Sequence, residues 1–182
     1  MGGDPLIAAH ERFRRLVEDH FGLVWRLLRR LGLSSADADD ATQHVFMTAS
    51  QKLSSIAPGS ERSYLYGVAL RVAQNRKRQL KRRPEHGDLA ELDLADERAL
   101  PDEAASLGEA RELLDRLLGG LPDELRRVLV LAEIEQLEVA EIAVLEGIPV
   151  GTAASRLRRA RASFREALAA VPTEHPFLVG AQ

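Results

Sequence analysis

The sequence predicts an all-α protein, two small helical domains joined by a flexible acidic linker, and three observations carry that prediction. Aromatic residues are only 4% of the 182-residue chain, and its 45% apolar content is supplied mainly by Leu, Ala and Val, a composition that suits helices better than strands. Apolar residues recur three and four positions apart through most of the chain, the period of a helix with one buried face. Charge, finally, is segregated: seven basic residues and no acid lie between Arg71 and Arg83, whereas nine acids and one base lie between Pro84 and Ala110. A second basic cluster, Arg156, Arg158, Arg159, Arg161 and Arg165, follows. The formal net charge of −3 conceals this alternation. Two arginine-rich ends of amphipathic helices favour an anionic partner over a merely solvated face.

Each element follows from local signals. Asp4-Pro5 starts a helix, with Asp as cap and Pro at the first helical position. Phe13, Leu16, Val17, Phe21, Val24, Leu27, Leu28 and Leu31 give it an apolar stripe, and Gly32 ends it. Ser34-Ser35 caps a second helix with an acidic first turn, Val45, Phe46 and Ala49 on its inner side and a break at Pro58-Gly59. A third runs from about Glu61 to Arg83, with Leu65, Val68, Ala69 and Val72 as its buried stripe and Arg71, Asn75, Arg78 and Arg82 as a polar ridge. Residues 4–83 thus form one domain. Residues 84–107, acidic and bounded by prolines, read as the linker.

Residues 108–171 form the second domain, and residues 172–182 a frayed tail. Leu113, Leu114, Leu117 and Leu118 precede a stop at Gly119-Gly120, and Pro122-Asp123-Glu124 opens a helix ending near Glu135. A short helix from Val139 to Leu145, Gly147, and a long helix from Val150 to about Ala170 have helix-turn-helix logic. Small Ala143 permits close helix approach, and Gly147 can take a left-handed turn. Thr152 is placed to cap the second of these helices. With Ala153, Leu157, Ala160, Phe164 and Leu168 inward, Thr152, Ser155, Arg156, Arg158 and Arg159 face out, positioned for base edges and phosphates.

Other chemistry finds little support. The absence of cysteine excludes disulfides and thiolate metal sites. Five scattered histidines show no zinc spacing; Asp40 and His44, one turn apart, lack a third ligand. No phosphate loop or nucleophile elbow is present, so neither enzyme, metal nor cofactor is expected. The longest apolar run, Val128 to Ala132, is too short for membrane insertion. Met1-Gly2-Gly3-Asp4-Pro5 lacks the basic-then-apolar order of a secretion signal, so a cytoplasmic location is expected.

The segment from Leu121-Pro122-Asp123-Glu124 to Arg161 resembles domain four of extracytoplasmic-function (ECF) sigma factors of the sigma-70 family, whose pattern runs Leu-Pro-x-x-x-Arg, Glu-Ile-Ala, Gly-x-Pro-x-Gly-Thr-Val-x-Ser-Arg-Leu-x-Arg-Ala. Ala38-Asp39-Asp40-Ala41-Thr42-Gln43-His44-Val45-Phe46 and Tyr64-Leu65-Tyr66-Gly67-Val68-Ala69 resemble the family's domain two. The resemblance implies a factor that binds core RNA polymerase and promoter DNA, with an anti-sigma factor as regulator. It implies polymerase contact through Asp39, Asp40, Gln43 and Phe46, −10 element recognition by Tyr64, Arg71, Asn75 and Arg78, and −35 recognition by Thr152, Ser155, Arg156, Arg158 and Arg159. The sequence departs from the family's pattern at His44 (usually Glu), Arg71 (often Asn), Asn75 (often Asp) and Ala154 (often basic). The competing reading is a helix-turn-helix regulator that acts without being a polymerase subunit. Such a regulator needs a sensor or dimer surface in its first domain, where this chain has an acidic helix beside a basic one.

Overall fold

The computed structural model describes residues 5–82 and 103–172, which fall into two compact units. Among the described residues there are helices and turns and no strand. The first unit contains α1 (Pro5–Arg30), α2 (Ser35–Gln51) and α3 (Glu61–Lys81). Helix α1 ends as expected: Gly32 adopts φ 92°, and the Leu33 N–H returns to the Leu28 carbonyl at 3.2 Å, a left-handed stop that favours glycine. Ser34 then caps α2, its hydroxyl accepting from the Asp37 N–H at 3.1 Å. The core is aliphatic, with Val24, Leu27 and Leu28 of α1 against Val45 of α2 and Leu65 and Ala69 of α3, all essentially without solvent exposure.

Two boundaries differ from the sequence-based expectation. Helix α2 stops at Gln51, and a 3₁₀ turn over Leu53–Ser55 precedes the Pro58-Gly59 break. Arg12 of α1 fastens this connection, donating to the carbonyls of Leu53 at 3.1 Å and Ile56 at 2.5 Å and to Glu61 Oε1 at 3.2 Å. On α3, Val72 is only half-buried, and Tyr66, Leu70 and Ala73 join the core instead.

The second unit contains α4 (Glu103–Gly119), α5 (Asp123–Leu129), α6 (Val139–Glu146) and α7 (Val150–Ala169). Helix α4 begins within the stretch assigned by sequence to the linker; acids in its opening turns favour a helix N-terminus, and the apolar period starts only later. The rest of the linker lies outside the described residues, as do the helix-starting Asp4 and residues 173–182 of the tail. Helix α5 continues through a wider π turn, Val130–Ile134, whose Val130 and Leu131 are wholly buried. Leu113 and Leu118, Leu125 and Val128, Ile142 and Ala143, and Ala153, Leu157 and Ala160 complete this core.

Arg126 explains the spacing of the Leu-Pro-x-x-x-Arg stretch. Its guanidinium donates to the Gly119 carbonyl at 2.6 Å and the Leu121 carbonyl at 3.3 Å, so α5 supplies the donors that the end of α4 needs. Burial lowers the pKa of Arg126 from its ordinary value, opposed by the charge of Asp123. Between α6 and α7, Gly147 takes φ 65°, and the Ile148 N–H bonds the Ala143 carbonyl at 3.0 Å.

Candidate nucleic-acid interface

In the first unit, α2 presents an acidic edge. Asp39, Asp40 and Gln43 are exposed, and the Asp39 carboxylate accepts from Trp25 Nε1 of α1 at 2.7 Å. Phe46 keeps the inner side that its spacing predicts, and so is not on the exposed edge with the other three residues to which the resemblance gives polymerase contact. It is 5% exposed and stacks on Phe21, ring centroids 6.1 Å apart and planes 11° from parallel. It is therefore a packing residue beneath the edge rather than an exposed anchor. Phe21, 46% exposed, and Met47, 64% exposed, carry the apolar surface beside it.

Helices α2 and α3 border a groove lined by Asp40, His44, Asn75, Arg76 and Gln79. Asp37 holds Arg76 at 2.6 Å across the two helices. Asp40 of the acidic edge and Asn75 of the polar ridge thus share one groove, which the sequence did not bring together. Arg71, Asn75 and Arg78 are all exposed, and Arg71 Nε bonds the Gly67 carbonyl one turn back at 3.0 Å. Tyr64 is half-buried. Tyr66, two positions on, is wholly buried with its hydroxyl against Arg62 and presents no surface to a partner.

In the second unit, α6 and α7 form the helix-turn-helix, and the five residues expected on its outer side divide. Arg158 and Arg159 are exposed and form no ion pair among the described residues. Arg156 instead turns inward to Glu124 of α5 at 3.0 Å, with 22% of its side chain exposed. Thr152 and Ser155 are half-buried, and the Ser155 hydroxyl donates to the Thr152 carbonyl at 3.0 Å. Thr152 is not the cap, because α7 has already begun at Val150 behind Pro149. Arg161, left out of the expected interface, pairs with Glu133 at 2.7 Å.

A buried ion pair locks the motif, Arg127 of α5 to Glu146 of α6. Their hydrogen bonds hold Arg127 protonated, raising its pKa against the opposing cost of burial, which is the largest single influence on it. No sequence periodicity identifies this pair, since the two residues lie on different helices. No group of three or more His, Asp or Glu residues suited to a metal occurs among the described residues. None of the described helices is long and apolar enough to cross a membrane.

Two family models match the chain: Sigma-70 region 2 over residues 16–83, and Sigma-70, region 4 over residues 111–164. The chain is 30% identical over 167 residues to the ECF RNA polymerase sigma factor SigE of Mycolicibacterium smegmatis, covering 89% of this chain and 63% of that protein. It is 31% identical over 136 residues to the ECF RNA polymerase sigma-E factor of Escherichia coli K12, covering 70% of this chain and 71% of that one. It therefore spans a little under two thirds of the Mycolicibacterium relative's length. Among solved structures it is similar to CnrH, determined in complex with the cytosolic domain of CnrY, with a TM-score of 0.64, 26% identity, and coverage of 91% of this chain and 97% of that one. The sigma factor RpoE of Bartonella quintana, determined in complex with the anti-sigma factor NepR, shares the fold at a TM-score of 0.62 and 19% identity, over 88% of this chain and 98% of that one.

Proposed function

The chain belongs to the extracytoplasmic-function sigma factors of the sigma-70 family, and from that premise we propose that it binds core RNA polymerase and directs it to a subset of promoters. It does so in the cytoplasm as a non-catalytic subunit. The observation that carries this reading is the pairing of opposite faces in one unit: the acidic edge of α2 beside the basic ridge of α3. A regulator that only binds DNA has no use for the acidic face.

The division of labour follows from chemistry. Asp39, Asp40 and Gln43 offer carboxylates and an amide to a basic polymerase surface. Tyr64, Arg71, Asn75 and Arg78 face a melted −10 strand, arginine neutralising phosphate and the polar side chains meeting unstacked bases. On α7, Arg158 and Arg159 meet the −35 duplex directly, whereas Arg156, tied to Glu124, braces the helix that carries them. Thr152 and Ser155 border this face near the helix start. An anti-sigma factor would act by covering these surfaces. The carboxylates of residues 84–102, ahead of α4, compete with nucleic acid for basic surface.

Run-off transcription on genomic templates, with core polymerase in the presence and absence of the protein, tests the proposal. Discrete transcripts that require the protein are expected. Specific duplex binding without any transcript would instead identify a regulator that is not a polymerase subunit.

A further inference from the structure

The outer face of α7 changes character along its length. Its first turns expose Val150, Gly151 and Ala154, and the turns beyond expose Arg158 and Arg159. Val150, a residue type that proteins usually bury, is 54% exposed. Val150, Ala154 and Arg158 recur at i, i+4 and i+8 and so form one line along the cylinder. Gly151 adds no bulk beside it; a Cβ there would meet nothing within 4 Å. The start of a surface helix is ordinarily polar, whereas this one leads with aliphatic carbon and follows with cations. Arg156 and Arg161 are engaged by Glu124 and Glu133, so the exposed arginines next along α7, Arg158 on the line that begins with Val150 and Arg159 beside it, carry the positive charge nearest the apolar edge. An apolar edge continuous with arginines that form no ion pair among the described residues is complementary to the DNA major groove, where phosphates line the rim and the thymine 5-methyl is the apolar group on the base edges.

We propose that Val150 and Ala154 are specificity-determining residues that read thymine methyl groups in the duplex element bound by α7. The inference rests on the duplex-reading role given to α7 above. Four residues of helix rise about 6 Å, and base pairs lie about 3.4 Å apart, so the two side chains address positions about two base pairs apart. Arg158 and Arg159, further along the helix, take the adjoining guanine or phosphate contacts. The bound element therefore carries thymines opposite the start of α7, on the side away from the arginine contacts.

The test uses the full chain assembled with core polymerase. A preferred duplex is first enriched from a random library, and each thymine in turn is then replaced by deoxyuridine, which removes only the methyl group. One or two positions are expected to lose affinity about fourfold, the worth of one buried methyl. Val150→Ala should flatten the response at one of them and Ala154→Gly at the other. Val150→Thr, nearly the same shape with one methyl exchanged for hydroxyl, repeats the first comparison without altering the fold. Uniform affinity across the deoxyuridine series overturns the inference, as does a methyl response that persists unchanged in the variants. A uniform series combined with loss of polymerase binding in Val150→Ala overturns it too, and assigns the edge to a protein surface. Failure to enrich any duplex overturns the duplex-reading role itself and the inference with it.

Discussion

Arg127 forks onto Glu146: Nε lies 2.8 and 2.9 Å from the two carboxylate oxygens, and a terminal nitrogen lies 2.7 Å from one of them. Only 1% of the Glu146 side chain meets solvent. A guanidinium held in this way fixes the angle between α5 and α6 as well as their separation. Replacing Glu146 by Gln should cost about 3 kcal/mol, because a largely buried cation loses its countercharge. Hydrogen exchange at the Val128 and Leu131 amides checks this within the second unit alone. Protection unchanged from wild type would show that the pair is dispensable.

Phe46 and Asp40 should separate folding from binding. Phe46→Ala removes a buried ring stacked on Phe21 and is expected to destabilise the first unit by about 3–5 kcal/mol. Asp40→Arg, on the exposed edge, should leave the melting temperature near wild type and weaken core polymerase capture. Capture at wild-type strength by Asp40→Arg would remove the acidic edge from the polymerase interface.

Arg156 and Arg159 are three residues apart and should behave differently. Arg159→Ala is expected to cost about 1–3 kcal/mol in duplex affinity without a change in stability. Arg156→Ala should instead loosen α7 from α5, by about 1 kcal/mol or less, since its partner Glu124 is partly solvated. Titrating salt against affinity distinguishes them: a lost phosphate contact lowers the salt slope, and a lost brace does not. Equal effects of the two variants on affinity and slope would place Arg156 on the DNA.

Glu61 links the first unit to acid. Its pKa is lowered from 4.5, chiefly by a hydrogen bond from its own backbone N–H, which with the help of Arg12 outweighs the opposing cost of burial. A carboxyl whose folded pKa is depressed contributes stability that is fully present above the unfolded value and lost as pH falls through the folded one. Wild type should therefore exceed Glu61→Gln in thermal stability at neutral pH, and the two should converge as the pH falls below 4.5 and through the lowered folded pKa. Parallel melting curves across that range would show that the carboxylate charge is idle.

The helix ends were legible in the sequence because their signals are local. Gly32, Ser34 and Gly147 each mark a boundary by a backbone angle or a hydroxyl that needs no distant partner. The two helical units and the exposed places of Arg158, Arg159, Asp40 and Asn75 followed from periodicity. Illegible were the features that depend on another helix. The spacing of Phe46 with Val45 and Ala49 already turned its ring inward, but its stacking partner, Phe21 on α1, cannot be read from α2. Arg156 looks as available as Arg159 until α5 brings Glu124 to it. The true start of α4 was hidden for a different reason: its first turns carry acids and alanines without an apolar stripe, the same composition that marks a tether.

The Asp37–Arg76 bridge has a consequence for inheritance. Its two ends belong to the helix with the acidic edge and the helix with the basic ridge, and each residue is paired with the other across the helix boundary. A gene exchange that imported a new α3 would arrive without a residue matched to α2, leaving the Asp37 carboxylate without its guanidinium. The outward ridge, at Arg71, Asn75 or Arg78, is therefore free to drift by single substitutions, whereas wholesale replacement must carry α2 and α3 as one heritable block.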